Sequence, residues 1–112
     1  MKHNDMISRL ERRLRMIHKD AIICREEKFW LKDGRAGETD LYLVDIPKDY
    51  SYVFEIKTWD YPEGRVKAYN QCNKDAQNIY EKYGVKRVIK FYVHSKDKYY
   101  YNIERILNNN KM

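Results

Sequence analysis

Asp40-Leu-Tyr-Leu-Val-Asp45 and, after a turn, Tyr52-Val-Phe-Glu-Ile-Lys-Thr58 decide the fold of this chain. Asp40–Ile46 and Tyr52–Trp59 are runs rich in β-branched and aromatic residues, and Pro47-Lys-Asp49 closes the first of them. The pair predicts an antiparallel hairpin with its loop near 47–51. Side chains alternate along a strand, so Val53, Glu55 and Lys57 share one face while Tyr52, Phe54 and Ile56 share the other. An acid therefore opens one strand, and a Glu-x-Lys lies inside the next. Charges in the middle of an apolar strand are costly unless they are paired or hold a metal.

On the N-terminal side, residues 5–18 predict a helix. Met6, Ile7, Leu10, Leu14 and Ile17 recur at helical spacing, with Asn4 or Asp5 as the N-cap. Arg9, Arg12, Arg13 and Arg15 occupy the opposite face, and Glu11 falls at the border of the stripe. A strand begins at Ala21–Cys24 and runs irregularly to Leu31; Lys32–Gly37, with two glycines in four residues, reads as a turn. Beyond the hairpin, Tyr61-Pro-Glu-Gly64 breaks the pattern and a helix spans Arg65 to Tyr83. Its expected buried stripe is Ala68, Tyr69, Cys72, Ala76, Ile79, Tyr80 and Tyr83, and Gly84 supplies the stop. Val85–Val93 and Tyr99–Ile103 read as strands, Glu104–Asn108 as a short helix and 108–112 as a frayed end. The order α-β-β-β-α-β-β predicts an α/β (α+β) fold, a mixed central sheet flanked by helices, in one domain spanning 1–112.

Composition narrows the classes. With 112 residues, 43% hydrophobic and 36% charged, the chain has the makeup of one globular domain. No apolar run approaches the roughly 18 residues of a membrane span, and the first residues lack the apolar core of a signal peptide. Two cysteines, Cys24 and Cys72, in apolar company fit a reduced, intracellular (cytoplasmic) protein, and neither they nor the scattered histidines make a zinc motif. The formal net charge is +6, concentrated in residues 1–20 and 85–112 around an acidic middle. Basic flanks about an acidic centre suit a polyanionic partner gripped around a metal.

The hairpin offers that metal a place. Mg²⁺ (or Mn²⁺) prefers oxygen ligands, typically one or two carboxylates with waters and phosphate oxygens. Asp40 and Glu55 supply the carboxylates and the backbone carbonyl of Ile56 completes the protein edge. Lys57, on the same face as Glu55, is placed to orient a metal-activated water or to offset charge on the phosphate. Glu38 shares the parity of Asp40 and competes with it, whereas Asp45 alternates to the other face. Gln71 is the favoured polar residue on the second helix, with Gln77 on the opposite flank of its stripe. The four arginines of the first helix are candidate phosphate contacts, and Tyr99-Tyr-Tyr101 is a candidate stacking surface.

Leu10-Glu-Arg-Arg-Leu14, Gly37-Glu-Thr-Asp-Leu41 and, most sharply, Val53-Phe-Glu-Ile-Lys-Thr58 resemble the motifs of the PD-(D/E)xK nuclease superfamily. Over roughly residues 7–94 the chain resembles its archaeal-type Holliday junction resolvases. The resemblance implies a restriction-endonuclease-like fold and Mg²⁺-dependent cleavage of DNA, including branched DNA, by a homodimer. It also assigns catalytic positions to Glu11, Asp40, Glu55, Lys57 and Gln71, with Glu11 as a supporting or second-metal carboxylate. The chain departs from the family in lacking a glycine before Glu11 and in carrying Thr39 where a proline precedes the metal aspartate. Its Trp59–Glu63 loop is also less basic than a junction-gripping loop. A nucleic-acid-binding module that keeps the fold without cutting is the alternative.

Overall fold

The structure, a computed structural model, describes residues 1–107. Its elements are α1 (His3–Ile17), β1 (Ile22–Trp30), β2 (Ala36–Asp45), β3 (Tyr50–Lys57), α2 (Pro62–Tyr83), β4 (Val88–Ser95) and β5 (Tyr101–Ile106). The five strands form one mixed sheet in the order β1-β2-β3-β4-β5. All neighbours are antiparallel except β3 and β4, which run parallel across the α2 crossover. This is an α+β arrangement with one helix on each face of the sheet.

Alternation along the strands sorts the two cores. Leu41, Leu43, Phe54, Ile56 and Val93 pack with Met6, Ile7, Leu10 and Leu14 of α1. Tyr42, Val44 and Val53 pack with Cys72 and Ile79 of α2. Each fully buried aliphatic side chain contributes about 1.5–3 kcal/mol relative to exposure. The face carrying Val53, Glu55 and Lys57 is therefore the α2 face.

Several expectations are corrected. The segment from Glu104 is not helical: Tyr101–Ile106 pairs with β4, Glu104 opposite Tyr92, because a strand there extends the sheet by one edge. The expected frayed segment 108–112 lies outside the described residues. The turn after β1 is confined to residues 31–35, and Gly37 lies within β2. α1 begins at His3 with Lys2 in the N-cap position and no side-chain cap. The backbone nitrogen of Met1 lies 2.6 Å from Ser95 Oγ and 2.8 Å from the Asp97 carbonyl. On α2, Tyr80 is 48% exposed, while Asp75 and Asn78 are buried beside Ala68, Cys72 and Ile79. The seam that meets the sheet runs 68–72–75–79, so a polar residue occupies its middle. Gly84 ends α2 in the left-handed region, φ 74°, and its N–H bonds the Tyr80 carbonyl.

Around Asp40 β2 parts from β3, and its pairing with β1 is interrupted at one position before resuming in the same register. Pairing with β3 stops at Leu41 opposite Phe54. On the other side Glu26 has φ 53°, between the Arg25–Leu41 and Glu27–Thr39 pairs. That left-handed geometry is uncommon for a residue with a Cβ. Beyond the break Thr39 is fully buried and bonded to α2, although the odd-numbered Leu41 and Leu43 pack on the α1 side. The break in the ladder is where the cleft forms.

Candidate metal centre at the open end of the hairpin

A cleft of about 610 Å³ lies beside this break, lined among others by Asp40, Glu55, Ile56, Lys57 and Gln71. The side chains of Asp40 and Glu55 replace the missing ladder bonds. Ile56 N–H donates to Asp40 Oδ2 at 2.8 Å, and Asp40 N–H donates to Glu55 Oε2 at 3.4 Å. Each carboxylate is thus held by the backbone of the other strand. Lys57 is half-buried at the same end of β3 and forms no ion pair among the described residues. His3, from the start of α1, brings Nε2 to 3.5 Å from Asp40 Oδ2. Lys67, Asn70 and Lys74 of α2 complete a cationic and polar wall.

Behind Glu55 stands a residue that periodicity alone passes over. Asp75 is fully buried, and its Oδ1 accepts from Thr39 Oγ1 and Gln71 Nε2, both at 2.8 Å. Its Oδ2 has no donor among the described residues. Burial, then the hydrogen bond and charge of Asp75, then the charge of Asp40 hold the Glu55 carboxyl far above the usual carboxylate range. Asp75 is raised less, because the bonds from Glu55, Gln71 and Thr39 offset part of its desolvation. Two carboxyls in contact away from water cannot both ionise unless a cation joins them, so without one they share a proton. The chemistry of this donor set fits a hard divalent cation, whose charge would let both groups ionise.

Comparison with family models, with curated proteins and with solved structures returns no match.

Glu11 is not brought to the cleft. Its carboxylate bridges Arg15, at 2.8 Å, and Arg25, at 3.1 Å, and those two guanidinium groups hold it below the usual carboxylate range against the cost of burial. The four arginines separate as well. Arg15 serves Glu11, while Arg9, Arg12 and Arg13 line a different groove between α1 and β5. Gln71 is in the cleft as a clamp on Asp75. Gly37 permits that clamp: a Cβ there would sit 2.9 Å from Gln71 Nε2 and 2.5 Å from Phe29 Cζ. One signal for Asp75 was present in the sequence, a charge set at i+7 from Ala68 within an apolar helical seam.

A second acidic group lies nearby, formed by Asp60 of the β3–α2 loop with His94 of β4 and Glu104 of β5. Ligand atoms of Asp60, His94 and Glu104 fall within 4.8 Å of one another. Arg65 already fills that space, meeting both Glu104 oxygens at 3.0 and 2.9 Å and Asp60 Oδ2 at 2.8 Å. His94 Nε2 is 2.8 Å from Glu104 Oε2, and Tyr92 donates to Asp60 Oδ1 at 3.0 Å. Arg65 lowers the pKa of both acids, with help from His94 at Glu104. This group is an ion-pair network that a metal would have to displace. Among the described residues, no helix is long and apolar enough to cross a membrane.

Proposed function

We propose that this chain is a metal-dependent endonuclease that hydrolyses DNA phosphodiester bonds, with a restriction-endonuclease-like sheet of the PD-(D/E)xK kind. One observation carries the reading: Asp40, Glu55 and Lys57 converge on a cleft whose far wall is cationic. Asp40 and Glu55 would hold Mg²⁺ or Mn²⁺, with the Ile56 carbonyl at the protein edge. Such an ion acidifies a bound water and neutralises charge on the phosphate. Lys57 contributes an ammonium group beside the reacting phosphate, where it stabilises charge that grows during attack. Lys67 and Lys74 meet the flanking phosphates, while Asp75, braced by Thr39 and Gln71, fixes the position of Glu55.

Branched DNA acted on by a homodimer is the substrate form the reading favours, since one chain carries one cleft and a symmetric junction needs two cuts. The test is incubation of purified protein with Mg²⁺ and four-way junction, duplex and single-stranded DNA. Cleavage that falls at least about 100-fold in Glu55→Gln and Lys57→Ala supports it. Equal residual activity in wild type and both variants sinks it.

The buried contact between Glu55 and Asp75 gives the second reading its support. A carboxyl that keeps its proton binds no cation, which suits a nucleic-acid-binding module without cleavage. Calorimetry with Mn²⁺ separates the two: heat that disappears in Asp40→Asn favours the enzyme, and no heat in wild type favours the module.

A further inference from the structure

We propose that the groove between α1 and β5 is a second nucleic-acid site, built for single strands. It encloses about 580 Å³ and shares no lining residue with the cleft. Arg9, Arg12 and Arg13 line it from α1, where spacings of three and four residues set side chains next to one another. Met16, Tyr100 and Ile103 line it as well, at 69%, 64% and 41% exposure.

Charge identifies the occupant as an anion. Arg15, Arg25, Arg35 and Arg65 are each matched by a carboxylate. Arg9, Arg12 and Arg13 have no such partner among the described residues, and the groove lining contains no acid. Arg9 Nη1 donates to the Tyr99 carbonyl at 2.7 Å, which fixes the tyrosine turn against the helix. Three unneutralised guanidinium groups in one concavity concentrate positive potential.

The apolar half identifies the kind of anion. Tyr100 presents an exposed ring beside the guanidinium groups, a pairing that matches a base beside its phosphates. A duplex keeps its base faces stacked inside, so only unpaired nucleotides can use both features. A two-fold contact between copies through this groove would bring like-charged arginines together, which disfavours a second copy. Binding here needs no metal and no cleavage, so its outcome is separate from that of the proposed enzyme.

The experiment is fluorescence anisotropy in EDTA with a labelled 12-mer single strand and the matching duplex, over a salt series. The Arg12→Ala/Arg13→Ala double variant should bind the single strand at least about 10-fold more weakly. Its salt slope should be shallower by about 1.4, for two lost phosphate contacts. Tyr100→Ala should lose roughly 5- to 100-fold on the single strand and little on the duplex, while Tyr100→Phe keeps the ring and the affinity. Wild-type affinity in the double variant overturns the proposal. So does an equal loss on duplex and single strand in Tyr100→Ala, or displacement of the single strand by poly-glutamate as readily as by unlabelled oligonucleotide. All of these side chains are exposed, so melting curves matching wild type are expected to accompany the binding changes.

Discussion

Glu55 with Asp75, and Glu104 with Asp60, are two pairs of acids on the α2 side of the molecule, near the neighbouring strands β3 and β4. They are satisfied in opposite ways. Arg65 reaches into the second pair and meets its oxygens at hydrogen-bond distance, so both carboxylates sit below their ordinary pKa. Among the described residues no cationic side chain bonds the first pair, and there the carboxyls are raised and one oxygen lacks a donor. Close packing of ligand atoms marks the Arg65 network, yet the group with unmet electrostatic demand is the one in the open cleft. Demand for a counter-charge, more than proximity of oxygens, points to where a cation belongs.

Metal binding should break the comparison most sharply. Calorimetry with Mn²⁺ should show one site in wild type, weakened at least about 100-fold in Glu55→Gln and unchanged in His94→Gln. Retained affinity in Glu55→Gln would place the ion elsewhere. Next in size is Arg65→Met, which strands Glu104 and Asp60. Because these groups are partly exposed, solvent screening limits the loss to about 1–2 kcal/mol. A Tm drop of roughly 4–8 °C per kcal/mol should register it. Added Zn²⁺ should recover part of that drop only in the variant.

Asp75→Asn should act in the other direction. The amide keeps an acceptor for Thr39 and Gln71 and offers Glu55 an N–H, so the metal-free protein gains about 1 kcal/mol and its Tm rises in EDTA. A lower Tm would mean that the two carboxyls are not in conflict. The pH response, again in EDTA, separates the two pairs by sign. Glu104 and Asp60 have depressed folded values, so their stabilisation is complete above about pH 4.5 and fades as pH falls further. Glu55 has a raised folded value, so its contribution is complete below about pH 4.5 and fades as pH rises. Glu104→Gln should flatten the acid limb of the stability curve, and Glu55→Gln the limb above it.

The hairpin was legible because alternation is a local property: the faces of Glu55 and Lys57 follow from the side-chain period of a strand. The end of α2 at Gly84 was legible for the same reason. Glu11 was not, since its fate depends on Arg25, a residue that a different element delivers. Asp75 escaped because a polarity pattern sends charged residues outward, so its i+7 spacing from Ala68 was outweighed, and the sheet beneath is what settles that the seam runs through position 75. Residues 101–103 were read as strand, but 104–106 at the end of β5 were misread as helix, because strand pairing, a long-range effect, overrides a short local preference.

Parallel pairing of β3 with β4 has a kinetic consequence. The hairpin that carries Asp40 and Glu55 can close by itself, but β4 reaches β3 only after the chain has passed through the 22 residues of α2. Until that crossover docks, Glu55 stays hydrated and Asp75, Lys67 and Lys74 are absent from its surroundings. Affinity for a divalent ion should therefore appear late in refolding, together with protection of the α2 amides and after the hairpin has formed.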